Sequence, residues 1–223
     1  MSDNIELYKF LNVDGSPCTK GTGTYALPRG DRPGKWMPVQ TPVVLCARGY
    51  HGCRAEHLLE WLGPTLWLME GRGEIVEARN KVACSEARIV RRVETYTERP
   101  LRLFAADCAE RVLWRFEAER PGDSRPRLAI EAARAYVGGE IGRDELAAAG
   151  DAAWDAPRDT AWAASRDVAW DTAWDAAWAA AWAAWGAVRG VAWDAARDTA
   201  WAAGDAERGW QQQHLVEMLG LDV

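Results

Sequence analysis

Four residues within a stretch of twelve could hold a metal ion: Cys46, His51, Cys53 and His57, spaced C-x4-H-x-C-x3-H in CARGYHGCRAEH. Zinc takes thiolate sulfur and imidazole nitrogen in a tetrahedron, so the residue types fit. The spacing departs from the paired C-x2-C knuckles of structural zinc sites. Cys46 also closes an apolar run, TPVVLC, that reads as a buried strand with the thiol turned inward. Structural thiols and a loop histidine are the expectation; no metal and no cofactor are assigned. The chain holds three histidines in all, and no Ser/His/Asp order is evident among them. His214, beside Gln211–Gln213, reads as a surface residue.

A second set of residues repeats. Nine tryptophans fall between Trp154 and Trp201, mostly four or eight residues apart, with Ala and Asp between them. Three copies of RD[TV]AW place Arg158 before Trp162, Arg166 before Trp170 and Arg197 before Trp201. Helical side chains lean towards the N-terminus, which brings each indole back over its arginine within cation–π reach. The intervening Asp can accept the indole N–H. These six residues are the candidate binding set, an arginine-lined aromatic cleft. The same pattern read as packing is a self-satisfied structural repeat, and that reading is preferred.

Four residues turn an α-helix by about 400°, a drift of about 40° per step. Trp170, Trp174, Trp178 and Trp182 therefore span about 120°, one stripe of one helix. Continued along a single straight rod, the eight-residue steps would carry the indoles around the whole circumference. Each indole buries on the order of 200 Å², so such a rod would leave most of that area in water. The repeat is expected to break into antiparallel helices at Pro157, Gly186, Gly190, Gly204 and Gly209.

The elements upstream divide the chain in two. Residues 5–12 and 41–46 suit strands, and residues 15–34 carry turn chemistry throughout. AEHLLEWL (55–62) suits a short helix ending at Gly63-Pro64. TLWLME (65–70) and EIVEA (74–78) are strands parted by a GRG turn, and the 82–95 segment alternates in its second part. From Leu101 the spacing becomes helical, with stops at Pro121-Gly122 and Gly138-Gly139. The fold class is α+β: a small mixed α/β domain (1–98) followed by an all-α, Ala/Trp-rich helical bundle (99–223).

Composition narrows the function. From Arg143 onward, 11 Asp and 3 Glu face 6 Arg and no Lys, a net of −8 against −6 for the whole chain. An acidic half repels phosphate backbones, which argues against nucleic acid despite the stacking aromatics. No run approaches the roughly 18 apolar residues of a membrane span. The N-terminus MSDNIELYKF lacks the pattern of a secretion signal, and five cysteines at irregular spacing suit a reducing compartment. A cytoplasmic location is expected.

Residues 108–156, CAERVLWRFEAERPGDSRPRLAIEAARAYVGGEIGRDELAAAGDAAWDA, and the closing AAGDAERGWQQQHLVEMLGL resemble an Ala-rich helical family of immunity proteins. That resemblance implies neutralisation of a toxin by binding and brings no catalytic residues. The N-terminal part, with YKFLNVDG, CARGYHGCRAEHLLEWL and GEI…KVACSEARIV, resembles a domain of unknown function frequent in phage and prophage proteins. Together the resemblances imply a protein of phage–host or toxin–immunity conflict. Its partner would be a toxin or host defence protein, with no nucleic acid or membrane and the oligomeric state open.

An enzymatic alternative comes from a likeness in outline to ADP-ribosyltransferases: a strand, G-Y-H-G-C, then a helix opening A-E-H-L-L. That outline would put His51, Tyr50 and Glu74 forward as catalytic candidates, with Glu70 and Glu86 as further carboxylates. The family's Ser-Thr-Ser pattern is missing, and fold likeness carries no function by itself. A third alternative is a module that sequesters a nucleotide between Arg and Trp. Non-catalytic protein binding is the reading preferred over both.

Overall fold

The computed structural model describes residues 4–19, 21–161 and 205–221. The chain forms two compact units, Met1–Tyr96 with Leu219–Val223, and Thr97–Met218.

The first unit is a four-stranded antiparallel sheet, β1 (Ile5–Leu11), β2 (Tyr50–Gly52), β3 (Thr65–Ala78) and β4 (Lys81–Arg92), in the order β1-β3-β4-β2. The sheet curls until its ends meet. Tyr8 N–H donates to Cys53 O at 2.7 Å and Cys53 N–H to Tyr8 O at 2.9 Å, joining β1 to the residue after β2. Side chains alternate along strands, so one face of each strand points into the curl. Leu7, Leu11, Tyr25, Trp67, Met69, Val82, Cys84, Ala87 and Ile89 fill it. Lys9 shares the inward face of β1 with Leu7 and Leu11. Its amine donates to His51 O at 2.6 Å and lies 5.4 Å from the Tyr25 ring centroid.

Two strand expectations are corrected. GRG at 71–73 is not a turn: β3 runs without interruption from Thr65 to Ala78, and the glycines form an irregularity between Arg72 and Ile75. Gly73 takes φ 83, and a Cβ there would come 2.2 Å from Ser85 Oγ. That hydroxyl accepts the Glu74 N–H at 3.0 Å, satisfying a donor that the bulge takes out of the ladder. TPVVLC is not a strand either. Val43 N–H is taken by the Glu74 carboxylate at 3.0 Å, and Val44 pairs with Arg48 in a tight turn. An apolar run reads the same whether it enters a sheet or folds back on itself. The short helix at 55–62 is a 3-10 segment, Ala55–Glu60.

The 34–40 segment lies along β4 instead. Gly34, Met37 and Gln40 donate their N–H groups to Ile89, Ala87 and Ser85 carbonyls, each at 2.8 Å. Trp36 within it covers a charged quartet. Glu70 lies opposite Arg88 and Arg72 opposite Glu86 across β3–β4, and the two guanidiniums sit 4.0 and 4.8 Å from the Trp36 ring centroid. Such cross-strand pairs stabilise a sheet face, and the indole adds cation–π contact.

The second unit is helical where described: α1 (Glu98–Glu119), α2 (Arg125–Gly138), α3 (Arg143–Ala161) and α4 (Asp205–Leu219). α2 ends on Gly139 at φ 79, as the glycine pair predicts. The core joining α1, α2 and α3 is mostly alanine: Ala105, Ala106, Ala109, Ala129, Ala133 and Ala153 around Leu113, Ile130 and Leu146. Small side chains let helix axes approach towards the close end of the usual range, roughly 8 Å. Two expected breakers fall inside helices. α3 continues through Pro157 to Ala161, and α4 spans Gly209. A mid-helix glycine costs only about 1 kcal/mol and proline about 3 kcal/mol, both within reach of packing elsewhere. Gly186, Gly190, Gly204 and the tryptophans from Trp162 to Trp201 lie outside the described residues.

Candidate functional site

The structure does not bring the four zinc candidates together. Cys46 is exposed, not turned inward, and its backbone takes φ 64. Its N–H donates to His51 Nε2 at 2.9 Å, while His51 Nδ1 lies 3.1 Å from Gly49 O. The imidazole is therefore the Nδ1–H tautomer, with both nitrogens engaged by backbone. Burial, with the nearby charges of Lys9 and Lys81, holds it below the usual histidine range. His51 is a β2 residue and not a loop one. Cys53 is buried against Tyr8 O, and burial pushes its thiol up to about 12. His57 faces Glu60 at 3.3 Å. Among the described residues, no group of three or more His, Cys, Asp or Glu is placed to hold a metal ion.

The enzymatic candidates are each bonded to structure. Tyr50 donates its hydroxyl to Pro38 O at 2.6 Å, with its ring edge-on to Tyr25. Glu74 holds the Val43 N–H. Glu70 accepts from Arg88 at 2.7 Å and Glu86 from Arg72 at 2.8 Å. The Tyr50 and Glu74 contacts secure loops beside the sheet, and the other two are the cross-strand pairs of β3–β4. Missed in the sequence was the partner of Cys46: Lys81 Nζ donates to its sulfur at 2.7 Å.

In the helical unit the centre is Asp107 on α1. Its Oδ1 accepts from Arg134 of α2 at 2.8 Å, and its Oδ2 lies 2.8 Å from His214 Nε2 of α4. Arg134 also donates to Glu110 at 2.6 Å, which draws that carboxyl below its ordinary range and the guanidinium above its own. His214 stacks on Trp210 with centroids 4.6 Å apart, and the Arg111 guanidinium lies 4.0 Å from the Trp210 ring centroid. One carboxylate thus ties three helices, with a layered Arg–Trp–His column beside it. The surface role expected of His214 is corrected: it is three-quarters buried and bonded to Asp107. Nothing within α4 signals this, because the acid stands on α1.

Along the same side of α1, Arg127 pairs with Glu117 at 2.6 Å, and Trp114 is 62% exposed. At the other end of α1, buried Arg102 donates to Glu98 at 2.7 Å and sits 5.0 Å from the Tyr136 ring centroid. Of the candidate binding set, Arg158 has its backbone in α3. Its side chain, with Trp162, Arg166, Trp170, Arg197 and Trp201, lies outside what is described.

This is a helical module whose ionic groups bond to each other across helices, and it coincides with the known resemblance. Residues 91–217 match the family described as Imm-5 like putative immunity protein. That match covers more than half of the 223 residues, and the chain belongs to this family. Residues 1–90 lie outside the match. No curated protein and no solved structure matches the chain. Among the described residues, no helix is long and apolar enough to cross a membrane.

Proposed function

We propose that this chain neutralises a protein partner by binding it, without catalysis, in toxin–immunity or phage–host conflict. The observation that carries this reading is the family match over the helical unit. The geometry supports it: Asp107, Glu110, Arg134 and His214 bond to one another. Charge supports a basic partner, a toxin or a nucleic-acid enzyme, because the chain from Arg143 onward carries a net of −8. The phage or mobile-element setting rests on the resemblance of the N-terminal part.

The test uses the full chain, tagged, as bait in lysate of its own host with and without co-resident phage. The expected result is one dominant basic protein, released by rising salt and blocked in its own activity by the chain. Consumption of NAD by the purified chain, lost on His51→Ala, would overturn the binding reading in favour of an ADP-ribosyltransferase-like enzyme.

A further inference from the structure

We propose that Cys46 and Lys81 form an oxidation-dependent covalent link, a modification site that fastens the 41–48 loop to the β3–β4 hairpin. Lys81 Nζ lies 2.7 Å from Cys46 Sγ. The thiols of Cys18, Cys53 and Cys84 meet their own partners at 3.3–3.7 Å. Cys46 is also the exposed thiol, whereas Cys53, Cys84 and Cys108 are buried. Peroxide reaches the first and not the others.

The sulfur is held for this contact from several directions. Its residue takes a left-handed backbone, φ 64, that residues with side chains seldom adopt. His51 Nε2 receives its N–H, the Val44–Arg48 turn closes around it, and Glu74 fixes Val43 three residues before. Lys81 opens β4 opposite Ala78, with its amine 5.7 Å from the Trp61 ring centroid. Both ends of the pair therefore stand on fixed backbone.

The reaction balances with hydrogen peroxide as the oxidant. The O–O bond breaks, one oxygen goes to sulfur and the other leaves as water, and the thiol, losing two electrons, becomes a sulfenic acid. The Lys81 amine, its extra proton given to solvent, attacks sulfur with its lone pair. The S–O bond breaks, and the departing hydroxide takes a proton from nitrogen and leaves as the second water. A sulfenamide N–S bond remains. An amine already inside the roughly 3–3.5 Å of a near-attack geometry favours this step over further oxidation of the sulfur. A small thiol reductant restores both side chains.

The experiment exposes the full chain to hydrogen peroxide and maps its peptides by mass spectrometry. The expected product joins the Cys46 and Lys81 peptides, two hydrogens lighter than their sum, and disappears with dithiothreitol. It is absent from Lys81→Arg, where Cys46 proceeds to sulfinic acid instead, and from Cys46→Ser. Circular dichroism of both variants checks that they keep the fold. Cys46 reaching sulfinic acid equally fast in the parent and in Lys81→Arg, with no joined peptide, would overturn the proposal. So would a Cys46 that peroxide leaves untouched, or a joined peptide carrying an additional oxygen.

Discussion

His214 Nε2 lies 2.8 Å from Asp107 Oδ2, joining α4 to α1 across 107 positions of sequence. The other oxygen of the same carboxylate holds Arg134 of α2. Asp107 thus ties α1 to both α2 and α4, with a hydrogen-bond donor on each of its two oxygens.

Asp107→Asn keeps the shape and removes the charge. Both contacts of the carboxylate are partly exposed, so solvent screens them, and the expected loss is about 1–2 kcal/mol of stability. Urea unfolding followed by far-ultraviolet circular dichroism reads it as a lower midpoint with an unchanged slope. A midpoint equal to that of the parent would show that the helices stand without this tie.

Ser85→Ala leaves the Glu74 N–H without its acceptor at the β3 bulge, where no ladder partner replaces it. A loss of about 1–2 kcal/mol is expected. Gly73→Ala, at φ 83 and against the same hydroxyl, should cost at least as much. Thermal unfolding of the two single variants and the double variant decides. If the bulge is one unit, the double variant loses less than the two losses added together.

That bulge marks where the sequence stops being legible. The second part of β4 is written in its residues, since Ala87 and Ile89 alternate with Glu86 and Arg88. GRG carries the signature of a turn equally well, and only Ser85, on another strand, decides that the chain runs on. TPVVLC misleads for the same reason: its apolar run suits a strand until Glu74, 31 positions from Val43, takes the N–H a strand would need. The alanine-rich helices α1–α3 were readable, because composition and spacing alone specify them. Pro157 and Gly209 do not break their helices, since local propensity yields to packing when the penalty is a few kcal/mol. The Asp107–His214 tie has no local signal at all. Its two ends carry the meaning only as a pair.

His51 makes acid stability a test of the curled sheet. Burial holds its imidazole below the ordinary 6.5, and its Nε2 must stay unprotonated to accept the Cys46 N–H. The unfolded chain therefore binds the proton more readily than the folded one. Stability from this group is complete above about pH 6.5 and falls as the pH drops below it towards the folded value. His51→Gln should flatten that decline when the opening of the sheet is followed from pH 7.5 down to pH 5 by hydrogen exchange of the β1–β4 amides, corrected for the intrinsic pH dependence of exchange. An equally steep decline in the variant would assign it to other groups.

Lys9 reverses the usual expectation for a charged residue. Its side chain shares the inward face of β1 with Leu7 and Leu11, and burial lowers its pKa from the ordinary 10.5. Its amine donates to a neutral carbonyl, His51 O, and among the described residues no carboxylate forms an ion pair with it. A carbonyl returns less than the desolvation of an ammonium costs, so Lys9→Met, similar in length and apolar, should raise stability at pH 7 by about 1 kcal/mol. The pH dependence distinguishes this cause from better packing. The unfolded lysine gives up its proton near pH 10.5, and above that value both states are neutral and the penalty vanishes. The advantage of the methionine variant should therefore shrink as the pH rises towards 10.5, whereas a packing gain would persist. A variant less stable than the parent at pH 7 would mean that the His51 carbonyl needs the amine more than the amine needs water.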